Sequence, residues 1–543
     1  MKKNPVMFGT MIFCWLCAAF YFSPRVLALV VGPENIFAKI AVACFSILLN
    51  IFWFYAFYHL VIILFSYIKS TPGYNIVRQN QEKAPAVALL YTTCNDFKEE
   101  AVLTCLAQGY DNFRTFILDD STNREYKERI DEFVARYSKA ISVIRRPERI
   151  GYKAGNLNYG LSKIGNFEYF SVSDADTLLP SDYIIKLFPY FSDSRVAFVQ
   201  SRQEFNSNQK STFAQGLGYQ IELHCDHYLS TKNKYGFVMF YGHGALMRLD
   251  VLRAIGGFPE VATEDLAYSM KIKEKGYYGV YAKDVTCMED FPSTYRQYRK
   301  RNEKWIRGTA ECLFKFYPDF LKSRNISWIE KFDIIVSAQS LLLGLPFLAL
   351  LLSVGIILPF YFYHFQFQGP MFKMPLAFND TFVGTLVGIS GNLFWRWDFF
   401  SMLILTIVAP ILPAILEMIH HPVKRFRYIA MYTFMFYATQ VNSSIAALAY
   451  LVSKKADFPV TADNSVSLAN SKIAVIIECV FAGLFLTIGL TSRNIWFLSF
   501  AAGTAIGVVI LNSGFENRFV RFLAITPLII LAVILLFIGK TLQ

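Results

Sequence analysis

The sequence predicts an α/β domain with a mostly parallel sheet, inserted in an α-helical transmembrane bundle of about six to eight spans with interfacial helices at the junction. Three observations lead there. Apolar runs long enough to cross a bilayer core, which takes about 20 helical residues, lie at 7–31, 37–67, 334–363, 396–419, 473–490, 495–512 and 521–538. One polar stretch, 69–332, separates the second run from the third and alternates short apolar runs with charged segments. Within it, strand-like runs end in acidic residues and are joined by helical segments, the pattern of a parallel sheet with crossover helices. With 54% hydrophobic and 17% aromatic residues, the chain is too apolar for a soluble protein and too charged in its middle for a plain membrane bundle.

The expected organisation is N-terminal transmembrane helices (1–68), a cytosolic domain (69–310), interfacial helices (311–333), transmembrane helices (334–419), an interfacial helix with a loop (420–472) and C-terminal transmembrane helices (473–543). The net charge of +12 fits the positive-inside rule better than a nucleic-acid partner. Lys2-Lys3, the excess in the polar stretch, Lys424-Arg425-Phe426-Arg427, Lys454-Lys455 and Arg518/Arg521 all face the cytoplasm in one threading. The implied location is the plasma (inner) membrane, multi-pass, with the domain cytosolic. The first apolar run is long, contains Trp15 and lacks a small-x-small site, so it reads as an anchor rather than a cleaved signal. Nine scattered cysteines suggest neither a disulfide frame nor a zinc site.

The domain begins with the buried-type strand Ala86–Tyr91, which ends in Thr92-Thr93-Cys94-Asn95-Asp96; a helix follows over 99–108 and a second strand, Phe113–Leu118, ends in Asp119-Asp120. Open parallel sheets bind ligands at these carboxyl ends. Asp96 and Asp120 are therefore placed to contact a nucleotide base or ribose, or else serve as helix N-caps. The run Tyr169–Val172 ends in Asp174-Ala175-Asp176, two carboxylates that offer oxygen ligands to a hard divalent cation, although Asp is also an ordinary turn residue. Asp265, in Thr263-Glu264-Asp265, heads a helix whose dipole favours its ionised form; the plain alternative is a capping box with Thr263 as cap. His224 and His227 read as a helix surface facing a groove rather than as metal ligands, because no further ligand pair follows.

Together with Gly151-Tyr152-Lys153, Gly242-His243-Gly244 and Arg301-Asn302-Glu303-Lys304-Trp305-Ile306-Arg307-Gly308, this ordered series resembles the inverting glycosyltransferases of family 2, which have the GT-A fold. It is most similar to their membrane-embedded processive branch, typified by bacterial cellulose synthase and including hyaluronan, chitin, alginate and curdlan synthases. The resemblance implies that Asp96 and Asp120 contact the uridine, Lys153 the diphosphate, and Asp174 with Asp176 the sugar and a Mg²⁺ or Mn²⁺ ion. It implies that Asp265 is the general base, with Glu264 beside it and Asp176 opposite. Trp305 would stack on the acceptor sugar, with His243 next to it. The family's QxxRW motif is altered: Arg301 stands for Gln and Lys304 for Arg, while Arg307 and Gly308 match the RG that follows. Lysine lacks the bidentate fork, so Arg301 or Arg307 would hold the diphosphate with Lys304.

Phe458-Pro459-Val460-Thr461-Ala462-Asp463 resembles the gating-loop motif FxVTxK, with Phe458, Val460 and Thr461 in place and Asp463 for Lys. Polar residues in the apolar runs, Asn50, His59, Ser337, Gln339 and Ser340, are costly against lipid and would line a hydrated path. The implied activity is processive synthesis of a β-linked, cellulose-like glucan from UDP-glucose and its passage across the membrane. Its partners would be the UDP-sugar, the growing polysaccharide, membrane lipid and accessory export subunits. The alternatives are a non-processive transferase to a polyprenyl-phosphate or other lipid acceptor, a synthase of another β-glycan (hyaluronan, chitin, mannan or alginate type), and a transporter that binds nucleotide sugar as a regulator.

Overall fold

A computed structural model of the chain describes residues 3–33, 35–68, 84–358, 360, 397–456, 467–491, 495–513, 525 and 529. Two apolar helices, α1 (Val6–Val31) and α2 (Ile36–Tyr67), lead into an α/β domain built on one sheet. Its strands are β1 Val87–Thr93, β2 Phe113–Asp119, β3 Ile141–Ile144, β4 Tyr169–Asp174, β5 Val196–Phe205, β6 Ala245–Arg248 and β7 Tyr278–Glu289, in the order β3-β2-β1-β4-β6-β5-β7. Only β6 runs against its neighbours, so the sheet is mixed but mostly parallel, as in a GT-A-like domain.

Every residue of β1 is buried, as a central strand covered on both faces requires. Val87, Leu89 and Tyr91 pack with Ala101, Val102 and Cys105 of α3 (Glu99–Leu106) and with Ile130 and Phe133 of α4 (Arg124–Arg136). Ala88 and Leu90 point the other way, onto Ala154, Leu157 and Leu161 of α5 (Tyr152–Lys163). The two-residue period of the strand thus distributes its apolar side chains to two cores.

The registers pair Thr93 with Asp119 and Thr92 with Asp174, so β1, β2 and β4 end level. Because β6 is antiparallel to β4, it begins at the edge where β4 finishes: Ala245 lies opposite Val172, and the Gly244 amide donates to the Val172 carbonyl at 2.9 Å. That topology brings Gly242-His243-Gly244 beside Asp174 and Asp176 from far along the chain. Gly242 has φ +85°, a left-handed conformation that suits glycine.

After the sheet come α6 (Glu264–Glu274), which precedes β7, then α7 (Tyr295–Lys315) and α8 (Trp328–Ser340). The boundary expected at 310/311 falls inside α7, which continues unbroken to Lys315. The run 334–363, expected as one span, is a pair of helices, Trp328–Ser340 and Gly344–Ile357, bent by 60°. Pro346 sits near the start of the second, and Gly344 lies so close to Ser443 that a Cβ there would approach its side chain to 2.9 Å.

Among the described residues, four helices are long and apolar enough to cross a membrane: Val6–Ala28, Ile36–Tyr67, Ser401–Ile419 and Lys472–Thr491, the last being α10; the bent pair makes five if it counts as one span. Trp496–Leu511, within α11 (Ile495–Ser513), is shorter. The 521–538 run lies outside the described residues except for 525 and 529, so the described helices supply fewer spans than the expected six to eight. The segment after His421 forms the expected long helix, Pro422–Ser453, here α9, where it follows α8 and precedes α10.

The α/β domain is tied to the apolar helices by an ion pair. Arg299 of α7 meets Glu478 of α10 at 2.9 Å, with side chains 0% and 1% exposed. Removing one partner of such a pair leaves a bare buried charge, at a cost of about 3–5 kcal/mol. Arg299→Met or Glu478→Leu alone is therefore expected to lower the melting temperature of the detergent-purified protein, and the double variant to recover most of the loss. Single variants that melt with the parent would refute the tie.

Candidate active site

A cavity of about 1520 Å³ starts at the level carboxyl edge of the sheet and continues among the apolar helices. Of the site residues expected from sequence, Asp96, Asp120, Lys153, Asp174, Asp176, His243, Glu264, Asp265, Arg301, Lys304 and Trp305 line it. Phe458, Val460 and Thr461 lie outside the described residues. Arg307 does not line the cavity: it pairs with Glu303 at 3.0 Å and donates to the Lys455 carbonyl at 2.6 Å. Helix geometry explains the correction. Arg299, Glu303 and Arg307 recur every four residues and share one face of α7, whereas Arg301, Lys304 and Trp305 occupy another.

At the ends of β2 and β3, Asp120 is held by Nε and Nη2 of Arg146, at 2.8 and 2.6 Å. Asp96 Oδ1 accepts from the Cys94 amide at 2.7 Å and from the Thr93 hydroxyl at 2.9 Å, while burial raises its pKa. Neither is a helix N-cap: α3 starts from Lys98 and α4 from Asn123.

Lys153, in the first turn of α5, reaches across to the Asp174 carboxylate and to the Gly242 carbonyl at 2.9 Å. Burial alone would raise Asp174, but Lys153 and His243 outweigh it and hold the group at about 2. Asp176 behaves in the opposite way. Burial, then repulsion from Asp174 and Glu289, pushes it up to about 7, and no described side chain or amide hydrogen-bonds to its carboxylate. A carboxylate left short of positive charge beside an ionised one fits a divalent cation. Two oxygen donors leave most of the cation's positions for phosphate and water.

Asp265 stands in the first turn of α6, where it caps the Leu266 amide at 2.8 Å. Thr263 is not the cap of a capping box. Its hydroxyl donates to the Gly308 carbonyl at 3.0 Å and so fastens the start of α6 to α7. A Cβ on Gly242 would lie 3.5 Å from Asp265 Oδ2 and 3.7 Å from Lys153 Nζ, so the glycine lets Asp265 and Lys153 face one space. Glu264 lies 4.0 Å from Lys153. Burial raises the pKa of both Glu264 and Asp265, against the pull of Lys153 and Lys304.

Arg301 is sandwiched, its guanidinium 4.0 Å from the centre of the Phe291 ring and 4.5 Å from that of Trp305. Its Nε and Nη2 have no hydrogen-bond partner among the described residues, and burial lowers its pKa to about 10. His243 meets Glu289 at 2.8 Å and Thr177 at 3.0 Å. Burial opposes its charge, but Glu289 and Asp174 raise it to about 9. His243 is thus an imidazolium beneath the Asp174-Ala175-Asp176 pair as much as a cavity wall.

Arg146 and Glu289 were not read from the sequence. A signal for the first existed: Arg145-Arg146 follows β3 as Asp119-Asp120 follows β2, and Arg145 pairs with Asp119 at 2.6 Å just as Arg146 pairs with Asp120. Of the residues expected along a hydrated path, His59, Ser337 and Ser340 line the cavity, but Asn50 and Gln339 do not. Asn50 turns back to the Ser46 carbonyl at 3.0 Å. His224 lines the cavity, whereas His227 bonds Glu417 at 3.0 Å and Ser66 at 2.8 Å.

Residues 85–308 match the model of the family described as glycosyltransferase like family 2. Among curated proteins, a probable glucomannan 4-beta-mannosyltransferase 1 of Arabidopsis thaliana is 28% identical over 232 residues, 41% of this chain and 41% of that protein. Glucomannan 4-beta-mannosyltransferase 1 of Cyamopsis tetragonoloba is 24% identical over 273 residues, 47% of this chain and 51% of that one. The chain thus spans about two fifths to one half of the length of these relatives. Among solved structures, the mannosyltransferase PcManGT from Pyrobaculum calidifontis, in complex with GDP-Man and Mn2+, is similar at 18% identity with a TM-score of 0.45, over 68% of this chain and 97% of that one. The strand-end acids and the lysine paired with Asp174 lie within the stretch that matches, so residues 85–308 are similar to a family 2 glycosyltransferase domain.

Proposed function

We propose that the chain is an inverting hexosyltransferase of the plasma membrane that builds a β-linked glycan of the mannan or glucomannan kind from a nucleoside-diphosphate hexose on the cytosolic side. The observation that carries the reading is the division of the cavity. Acids for a donor, Asp174 and Asp176, and a separate acid for an acceptor, Asp265, face each other across Lys153 and Gly242, and the space beyond runs among apolar helices. Cellulose-like synthesis from UDP-glucose was the sequence expectation. The matched relatives are named as mannosyltransferases, which favours a mannosyl donor here.

In this reading Asp174 and Asp176 hold a Mg²⁺ or Mn²⁺ ion, which supplies positive charge for the departing diphosphate. Lys153 and Lys304 add charge on the same side, and Glu264 keeps Lys153 in place. Asp265 accepts the proton of the acceptor hydroxyl as that oxygen attacks the anomeric carbon. Trp305 supports the acceptor ring, and Asp120 with Arg146 offers an acceptor and a donor to the base edge. The runner-up is transfer of a single sugar to a lipid acceptor. It is favoured by Arg301, which covers one face of Trp305 and departs from the processive motif.

Nucleotide release by the purified protein, measured across GDP-mannose, GDP-glucose and UDP-glucose, is expected to be greatest with the mannosyl donor and to yield a polymer cut by β-mannanase. Release confined to UDP-glucose with a cellulase-sensitive product would overturn the sugar assignment, and a short solvent-extractable product would favour the runner-up. Asp265→Asn is expected to cut turnover by about 10²–10⁴-fold while nucleotide binding persists; undiminished sugar incorporation would sink the reading. Because the Asp265 carboxyl is raised by burial, kcat/KM should fall as pH drops through a value above the ordinary Asp pKa of about 3.9. A pH profile flat down to that value would contradict its role as base.

A further inference from the structure

The cavity changes chemical character along its length. Its nucleotide end is lined by many charged side chains, but the apolar helices contribute no Asp, Glu, Lys or Arg to the lining among the described residues. What they contribute are hydroxyls, an amide and aromatic rings, such as Ser337, Phe347, Tyr432, Phe436 and Gln440. Lys232 is the charged wall residue that reaches this side, and Asp333 at 3.3 Å neutralises it.

Where the two zones meet, next to Asp265, the wall is a set of imidazole and phenol groups. Tyr241 immediately precedes Gly242, the residue that faces the base. Tyr241 hydroxyl bonds His224 Nε2 at 2.8 Å, His224 stacks on Tyr228 with ring centres 5.4 Å apart and planes 10° apart, and the Tyr228 hydroxyl meets His59 Nδ1 of α2 at 2.5 Å. Each imidazole therefore commits one nitrogen to a tyrosine. Nε2 of His59 and Nδ1 of His224 have no partner among the described residues. Burial, with Lys232 adding to it, lowers His224 to about 4, so its ring is neutral and offers one donor and one acceptor. The segment His224–Leu229 is π-helical, a distortion that often re-aims side chains at functional sites.

We propose that His59, His224, Tyr228 and Tyr241 form a binding collar for one uncharged hexosyl unit of the acceptor glycan, and that the cavity beyond it admits a neutral glycan but not a uronate-bearing one. The collar rests on the proposed glycan-transfer reading and deepens it by naming the acceptor class. Sugar hydroxyls donate and accept in equal measure, as neutral imidazole and phenol groups do. A carboxylate brought past the collar would lose its water with no countercharge to meet it.

Equilibrium binding of a β-1,4-linked mannohexaose and of a β-1,4-linked hexauronate to the full-length detergent-purified protein tests this, with a fluorescent nucleoside diphosphate as a control for folding. The neutral hexaose is expected to bind at least about 10-fold more tightly than the uronate, and His224→Phe or His59→Phe to weaken it by about 10-fold, the equivalent of one or two hydrogen bonds. Nucleotide affinity should stay within about 3-fold of the parent, since the collar's hydrogen bonds run among its own members and not to the donor-side acids. Tyr228→Phe, which removes one hydroxyl and keeps the ring, should weaken the hexaose in the same direction and serves if the histidine variants fail to fold. Equal affinity for the uronate, no binding of either glycan, or hexaose affinity unchanged in the folded variants would overturn the collar. Failure of every nucleotide sugar to release nucleotide would instead sink the transferase reading and leave the glycan-binding result to be judged on its own.

Discussion

The Arg299–Glu478 pair is the constraint on which the arrangement of the site depends. A carboxylate in an apolar helix is costly unless a cation meets it, and the cation comes from α7, the helix that also carries Arg301, Lys304 and Trp305. The same face of α7 makes further ties. Glu303 accepts from the Ala469 amide at 2.9 Å, Arg299 also donates to the Ala469 carbonyl, and Arg307 donates to the Lys455 carbonyl. Residues on both flanks of the 457–466 segment are thus gripped by one stripe of one helix. With that stripe engaged, the opposite stripe has no freedom but to face the cavity, so the membrane helices set the aim of the catalytic side chains.

The second constraint is the level edge of the sheet. Three parallel strands that end together bring five acids, Asp96, Asp119, Asp120, Asp174 and Asp176, to one edge, and such a cluster is tolerable only with cations interleaved. Arg145 and Arg146 serve Asp119 and Asp120, Lys153 serves Asp174, and His243 is charged through Glu289. Asp96 and Asp176 have no ion-pair partner among the described residues; burial raises both, and repulsion from Asp174 and Glu289 raises Asp176 further. An excess of negative charge at one oxygen pair is a poor way to stabilise a fold. It is a sensible way to hold a cation together with a diphosphate.

Most of the domain was legible because its strands are buried on both faces and so appear as continuous apolar runs: β1, β2 and β4 and the acids at their ends could be placed from the pattern alone. The antiparallel β6 was harder, being four residues long, and its relation to β4 comes from topology rather than local sequence. The error at Arg307 shows how a linear motif misleads on a helix: reading RG as a continuation of QxxRW ignores that two residues further on is nearly the opposite face. The bend within the 334–363 run was not foreseen for a related reason, since mean apolarity does not register the break near Pro346. The collar was invisible except for His59 and His224, because His59 and Tyr241 are 182 positions apart and only the fold makes them neighbours.

The altered motif on α7 now has a physical meaning. Relative to the motif it resembles, positive charge is present at 301 as well as 304, and these positions are one turn apart on the same face of the helix. A lysine at 304 supplies charge without a planar fork, and Arg301 restores the fork three residues earlier, with Nε and Nη2 still unengaged. The cost of that substitution falls on Trp305. With a guanidinium 4.5 Å above one face of its ring, a sugar can stack only on the other, and the residue is 39% exposed. A flat cation held between two aromatic rings is fixed in orientation, since rotation would cost contact with both Phe291 and Trp305. Arg301 and Trp305 are therefore mechanically joined, and under the proposed roles a change in either side chain must be felt at both the donor and the acceptor end of the transfer.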